Sequence, residues 1–239
     1  MARRAVALVI LFVLVVTVVR ACSGDGEQSP PQPQQQQQQQ EAQQQPTQFA
    51  RPDPIAGPAS TSVASSRPVE LAVPAIDLRA AVEKGDCRVV GEALDPATLD
   101  KACAYTAPGR PYQLPGSDAR DIVVIAGHTG AGVSAVFNSL YDGRGKRHNV
   151  SVGDVLFVRT EKSGDDWLTY VATDLHEPKK DALAASAEIW GSGPTPGRLL
   201  TISCIQPANP LADSVQNAVV GWRFDRVVSD AQVRANMGD

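Results

Sequence analysis

Ile122-Val123-Val124-Ile125-Ala126, followed by Gly127-His128-Thr129-Gly130, is the stretch on which the fold turns. Five apolar residues in a row, four of them β-branched and ended by glycine, read as a short strand buried on both faces. Similar short runs lie on either side. Leu71-Ala72-Val73-Pro74-Ala75-Ile76-Asp77-Leu78 alternates and carries a proline, which fits an edge strand or a bent pair. Val155–Thr160 follows a Gly153-Asp154 turn, and Trp167–Thr173 follows Ser163-Gly164-Asp165-Asp166, so these two read as a hairpin. Leu199–Ile202 leads into Ser203-Cys204, and Ala218–Phe224 is the last clear strand. Helical pattern is confined to Pro96–Ala102, Val133–Tyr141 and Asp181–Ile189. Many short strands at regular spacing predict an all-β barrel or sandwich with a few short helices.

Outward from this core the composition changes sharply. The chain has 239 residues, 43% hydrophobic and 20% charged, with a formal net charge of -4. No basic excess supports a nucleic-acid partner. Residues 5–19 are all apolar except Thr17 and follow the basic head Met1-Ala2-Arg3-Arg4, the pattern of an export signal or membrane anchor. Residues 1–22 are therefore expected to be an N-terminal anchor or signal segment that keeps the basic head inside and places the rest outside the cell membrane. Val19-Arg20-Ala21-Cys22 is a rough lipobox, so a lipoprotein attached through Cys22 is an alternative, as is plain cleavage. Residues 23–67, with the run Gln34–Gln40 and scattered prolines, cannot bury apolar surface and are expected to form a disordered linker. Residues 68–239 form the folded domain.

Four cysteines are too few for a disulfide scaffold, so each needs its own role. In an oxidising compartment Cys87 and Cys103, 16 apart, can pair and close a loop worth about 3 kcal/mol on the chain-entropy model. Cys204 is then left alone at the end of an apolar strand, ahead of Ile205-Gln206-Pro207-Ala208-Asn209-Pro210. It is either a buried structural cysteine or a nucleophile. A nucleophilic thiol needs a partner, because a pKa of about 8.5 leaves only a few per cent thiolate at neutral pH. His128, at the end of the buried strand between two glycines, is the candidate; a turn histidine bonded to local backbone is its other reading. His148 and His176 read as solvated loop residues. No metal-ligand spacing and no phosphate loop appears, and no cofactor is expected.

Together these residues resemble the sortase family of cysteine transpeptidases, among them the class F enzymes of high-GC Gram-positive bacteria. The resemblance spans roughly residues 68–228. It rests on Val123-Val124-Ile125-Ala126-Gly127-His128, similar to the family's strand ending in G-H, and on Leu199-Leu200-Thr201-Ile202-Ser203-Cys204, similar to its L-x-T-x-C ending. Leu71–Ile76, Val136–Leu140 and Val152-Gly153-Asp154 support it. The resemblance implies a closed eight-stranded β-barrel with His128 and Cys204 at neighbouring strand ends. It implies that the Cys204 thiolate attacks a carbonyl in the C-terminal sorting motif of an exported protein and that His128 protonates the leaving amine. The thioester would pass to an amine of a cell-wall precursor or another surface component.

One residue departs from the family pattern. An arginine near the start of the last strand is absent; Ser214-Val215-Gln216-Asn217 stands there, with Arg223 and Arg226 further along. Gln216, Asn217 or a displaced Arg223 could take its place, or the catalyst could be weakened. Two other functions remain. An L,D-transpeptidase also uses Cys and His, but Ser203-Cys204-Ile205 lacks the glycine and arginine of its motif. A catalytically inactive, tethered barrel that binds wall components or proteins is the non-enzymatic alternative.

Overall fold

The computed structural model describes residues 62–91, 93–106, 112–209 and 211–238. The expected anchor, Cys22 and most of the linker lie outside them. No helix among the described residues is long and apolar enough to cross a membrane.

The described residues form twelve strands: β1 Pro68–Val73, β2 Leu78–Asp86, β3 Arg88–Val90, β4 Ala93–Asp95, β5 Ala102–Ala104, β6 Val123–Ala126, β7 Tyr141–Asp142, β8 Arg147–His148, β9 Val155–Thr160, β10 Asp166–His176, β11 Arg198–Cys204 and β12 Asn217–Ser229. Eight of them close into a barrel in the order β1-β2-β5-β6-β11-β12-β10-β9. The fold is an all-β closed eight-stranded barrel with three short helices, α1 Lys180–Leu183, α2 Ala187–Trp190 and α3 Asp230–Met237. Closure leaves the eight barrel strands without a free edge.

The continuous apolar run of β6 is explained by what lies on its two faces. Val123 and Ile125 point into the barrel with Leu71, Leu156, Leu168 and Trp222. Ile122 and Val124 point outward and are covered by Ile189, Leu200, Ile202 and Val219, with Leu183 and Trp190 packed alongside. The segment carrying α1 and α2 thus roofs the outer face of β6 and β11. The same alternation runs along β11. Thr201 is buried and accepts a hydrogen bond at Oγ1 from Trp222 Nε1 (3.0 Å). Leu200 and Ile202 join the roofed outer face, and Cys204 follows them by two residues.

Several sequence readings change. The bent pair at Leu71–Leu78 is two antiparallel strands joined by a 3-10 turn at Pro74–Ile76, with Asp77 in the left-handed region (φ 48°). Pro96–Ala102 and Val133–Tyr141 are not helical: the first leads into β5 and the second is a series of turns. Asp181–Ile189 divides into α1 and α2. The terminal helix α3 has a capping box at Ser229 and Gln232 that the sequence reading missed. The residues just ahead of β1, assigned to the linker by composition, pack on the barrel. Val63 and Ser66 are buried, and the Val63 N–H donates to Ser117 Oγ (2.8 Å).

Candidate active site

β6 and β11 run parallel, with Ile202 paired to Ala126, and the Gly127 N–H donates to the Ile202 carbonyl (3.1 Å). Neighbouring strands lie about 4.8 Å apart. His128, two residues past Ala126, and Cys204, two past Ile202, therefore leave the barrel side by side. Two further bonds lace the exits together. Thr129 Oγ1 donates to the Cys204 carbonyl (2.8 Å), and Gln206 Nε2 donates to the Thr129 carbonyl (2.9 Å). Neither Thr129 nor Gln206 stood out in the sequence, because their role exists only once the two strands are paired.

Gly127 is a requirement of space. A Cβ there would come within 2.4–2.7 Å of the Phe137 ring. Phe137 is fully buried, and its N–H donates to the His128 carbonyl (3.0 Å).

Cys204 is half-buried and is the free cysteine among the described residues. Cys87 and Cys103 form the expected disulfide. Cys204 and His128 line the same cavity of about 450 Å³, walled by Leu94, Tyr105, Tyr112 and Trp190. Lys180, Asp181 and Leu183, from the segment before the cysteine strand, line it too. Cys204 also borders a second, more polar hollow of about 570 Å³ toward Thr129, Asn138 and Asp142.

The imidazole of His128 is held by backbone. Its Nε2 lies 2.9 Å from the Pro96 carbonyl oxygen and 3.7 Å from Asp95 Oδ1. A carbonyl only accepts, so Nε2 carries a hydrogen. Asp95 ends β4, and Pro96 opens the segment Pro96–Ala102 that the sequence pattern predicts to be helical.

The residue across the ladder from Cys204 is Asn217. It lines the cavity, and its Nδ2 donates to the Ser203 carbonyl (3.1 Å). Gln216 is turned away, donating from Nε2 to the Glu177 carbonyl (3.0 Å). Arg223 pairs with Arg198, six positions along the ladder from the Cys204–Asn217 pair, which is about 20 Å at 3.3 Å per residue. Arg223 therefore cannot stand in for an arginine beside Cys204, and Arg226, paired with Thr169, is further still. Lys180 is the one lysine or arginine among the described residues that line the cavity.

The other two histidines are not solvated. His176 Nε2 bonds Asp174 Oδ1 (2.8 Å), and Arg198 grips both oxygens of that carboxylate (2.7 and 2.9 Å). Burial alone would raise the Asp174 carboxyl. Hydrogen bonds from Arg198, Thr173 and His176, with the Arg198 charge, instead hold it well below the usual carboxylate range. His148 has a 6% exposed side chain, packed edge-on against Tyr141. Burial pushes its ring below the usual imidazole range, only partly offset by the Glu177 carboxylate. Among the described residues no cluster of His, Cys, Asp and Glu could hold a metal ion.

No protein-family model and no curated protein matches the sequence. Among solved structures the chain is similar to sortases. Listeria monocytogenes sortase A is 14% identical, with a TM-score of 0.48 over 74% of this chain and 99% of that one. Sortase C-3 of Streptococcus pneumoniae is 16% identical, with a TM-score of 0.48 over 74% and 73%. Sortase E1 of Streptomyces coelicolor, solved with a tripeptide in its active site, is 15% identical, with a TM-score of 0.45 over 71% and 96%. The barrel described above stands on its own strand pairing.

Proposed function

We propose that this protein is a cysteine transpeptidase of the sortase kind, nearest to class F by its sequence motifs, in which Cys204 is the nucleophile and His128 the proton carrier. The observation that carries this reading is the free Cys204 beside His128 at the exits of two parallel-paired strands, opening on one cavity. The Cys204 thiolate adds to a peptide carbonyl carbon of the sorting motif and forms a C–S bond. The tetrahedral oxyanion collapses, the C–N bond breaks, and the proton held by His128 goes to the departing amine. A neutral acceptor amine then attacks the thioester, gives its proton to His128 and expels the thiolate. One amide is broken and one is made, with no redox change and no cofactor.

With no arginine across the ladder from Cys204, the Asn217 amide stands there as a neutral donor for the oxyanion, and Lys180 supplies charge to the cavity wall. The partners on this reading are exported proteins bearing a sorting motif and a cell-wall or surface amine. The basic head and apolar run of residues 1–22 support a domain held outside the cell membrane, with the glutamine-rich segment as its tether. The absence of a cation across from Cys204 favours one alternative, an inactive barrel that binds peptides without cleaving them. Turnover of sorting-motif peptides by the wild-type chain, abolished in both Cys204→Ala and His128→Ala, supports the enzyme. Peptide binding without turnover supports the alternative.

A further inference from the structure

The hairpin over His128 is fastened at several points. Arg88 Nη2 binds Asp95 Oδ2 (2.6 Å) and the Pro96 carbonyl (3.3 Å), and Arg88 Nε donates to the Asp95 carbonyl (3.3 Å). That Pro96 oxygen is the one that receives His128 Nε2. β3 and β4, which carry Arg88 and Asp95, pair with each other and with no barrel strand. Their connection to the barrel is closed by the Cys87–Cys103 disulfide. Cys103 pairs with Ala126 in the β5–β6 ladder, two residues before His128, and both half-cystines pack on Ala126. The disulfide thus ties the base of the hairpin that holds the ring to β5, the ladder neighbour of the strand that carries it.

We propose that Arg88, Asp95 and the Pro96 carbonyl are a positioning clamp for His128, held in place by the Cys87–Cys103 disulfide. This rests on the reading of His128 as the proton carrier. The clamp fixes Nε2 as the hydrogen-bearing nitrogen, so Nδ1 is the atom that takes and returns the proton. When the ring is doubly protonated, Nε2–H stays on the carbonyl with the Asp95 carboxylate 3.7 Å away, and the ring need not rotate.

The test is nitrogen NMR of the full chain, in neutral detergent, labelled with 15N-histidine; three histidines make assignment by substitution direct. Wild type is expected to show the Nε2–H tautomer at His128. Arg88→Gln, at an exposed side chain, and Cys87→Ser/Cys103→Ser are expected to give a mixture of tautomers. The His148 and His176 signals should stay unchanged, which reports an intact barrel. In parallel, kcat on a turned-over peptide should fall about 10²-fold in Arg88→Gln at unchanged KM, the loss expected when a reacting group is misplaced by about an ångström. An Nδ1–H tautomer in wild type, or an unaltered His128 spectrum and kcat in Arg88→Gln, overturns the clamp. If the double serine variant unfolds, Arg88→Gln alone decides. An Nε2–H spectrum in a chain with no turnover overturns the transferase reading and not the clamp, so the two failures are distinguishable.

Discussion

Replacing Gly127 with alanine adds one methyl group where the Phe137 ring already sits. The new Cβ would lie 2.4 Å from the nearest ring carbon. Real Cβ contacts essentially never fall below 3.0 Å and are ordinary from 3.4 Å, so ring or backbone must move by about 0.6–1 Å. Phe137 has no room, being 0% exposed inside the main core. Overpacking of this kind costs about 1–3 kcal/mol. For a domain this size, 1 kcal/mol shifts Tm by about 2–4 °C, so a fall of about 2–12 °C is expected. The alternative outcome has a definite sign: a glycine with free space and a backbone that alanine can adopt gains about 0.4–1 kcal/mol on becoming alanine. Phe137→Leu alone should destabilise, yet it should reduce the cost of the second substitution. The double variant is therefore expected to be more stable than the sum of the singles by about 1 kcal/mol or more. Urea unfolding followed by circular dichroism measures all four corners of the cycle. The backbone shift also reaches the site, since Phe137 holds the His128 carbonyl. A Gly127→Ala protein as stable as wild type, with additive behaviour in the double variant, would show that the Phe137 ring does not exclude a side chain at position 127.

Three further outcomes are expected. The buried His148 ring resists protonation, so the unfolded chain binds the extra proton below its usual pKa of 6.5. Stability is therefore full above that value and falls as pH drops below about 6.5, a slope that His148→Phe should flatten in pH-dependent urea titrations. Asp174→Asn removes the charge-assisted bonds to Arg198 and should cost about 1.5–3 kcal/mol at neutral pH. Because the Asp174 carboxyl is held low, its contribution is present above about pH 3.8 and lost below it, and the variant should lack that acid limb. Iodoacetamide followed by peptide mapping without reductant should label Cys204 and leave Cys87 and Cys103 unmodified. Labelling of the latter pair would show that the disulfide is open in solution.

The strands around the site were legible because their faces are unequal in chemistry. A run apolar on every residue, such as Ile122–Ala126, has to be covered twice, and it is, by the barrel interior and by the roof from α1 and α2. The Cys87–Cys103 pairing followed from compartment and spacing. What escaped was set by tertiary pairing. The hairpin of β3 and β4 is short, with Val89 and Val90 exposed, so it carries no alternating apolar signal. Pro96–Ala102 lost its helical reading because it must span from that hairpin into β5. Within the candidate site, His128 and Cys204 were visible as polar residues ending apolar strands. The Pro96 carbonyl was not, since a backbone oxygen has no signature in sequence. The choice among Gln216, Asn217 and Arg223 depended on the β11–β12 register, which places Asn217 across from Cys204 and Arg223 at the far end.

On the proposed mechanism Cys204 carries an acyl group during turnover. Intact-mass spectrometry of the full chain after mixing with a library of sorting-motif peptides tests it most directly. A covalent adduct mapped to Cys204, discharged by an added amine with formation of the new amide and absent in Cys204→Ala, is the result predicted. No adduct on a Cys204 that iodoacetamide labels freely, or an adduct that persists in Cys204→Ala, would contradict it.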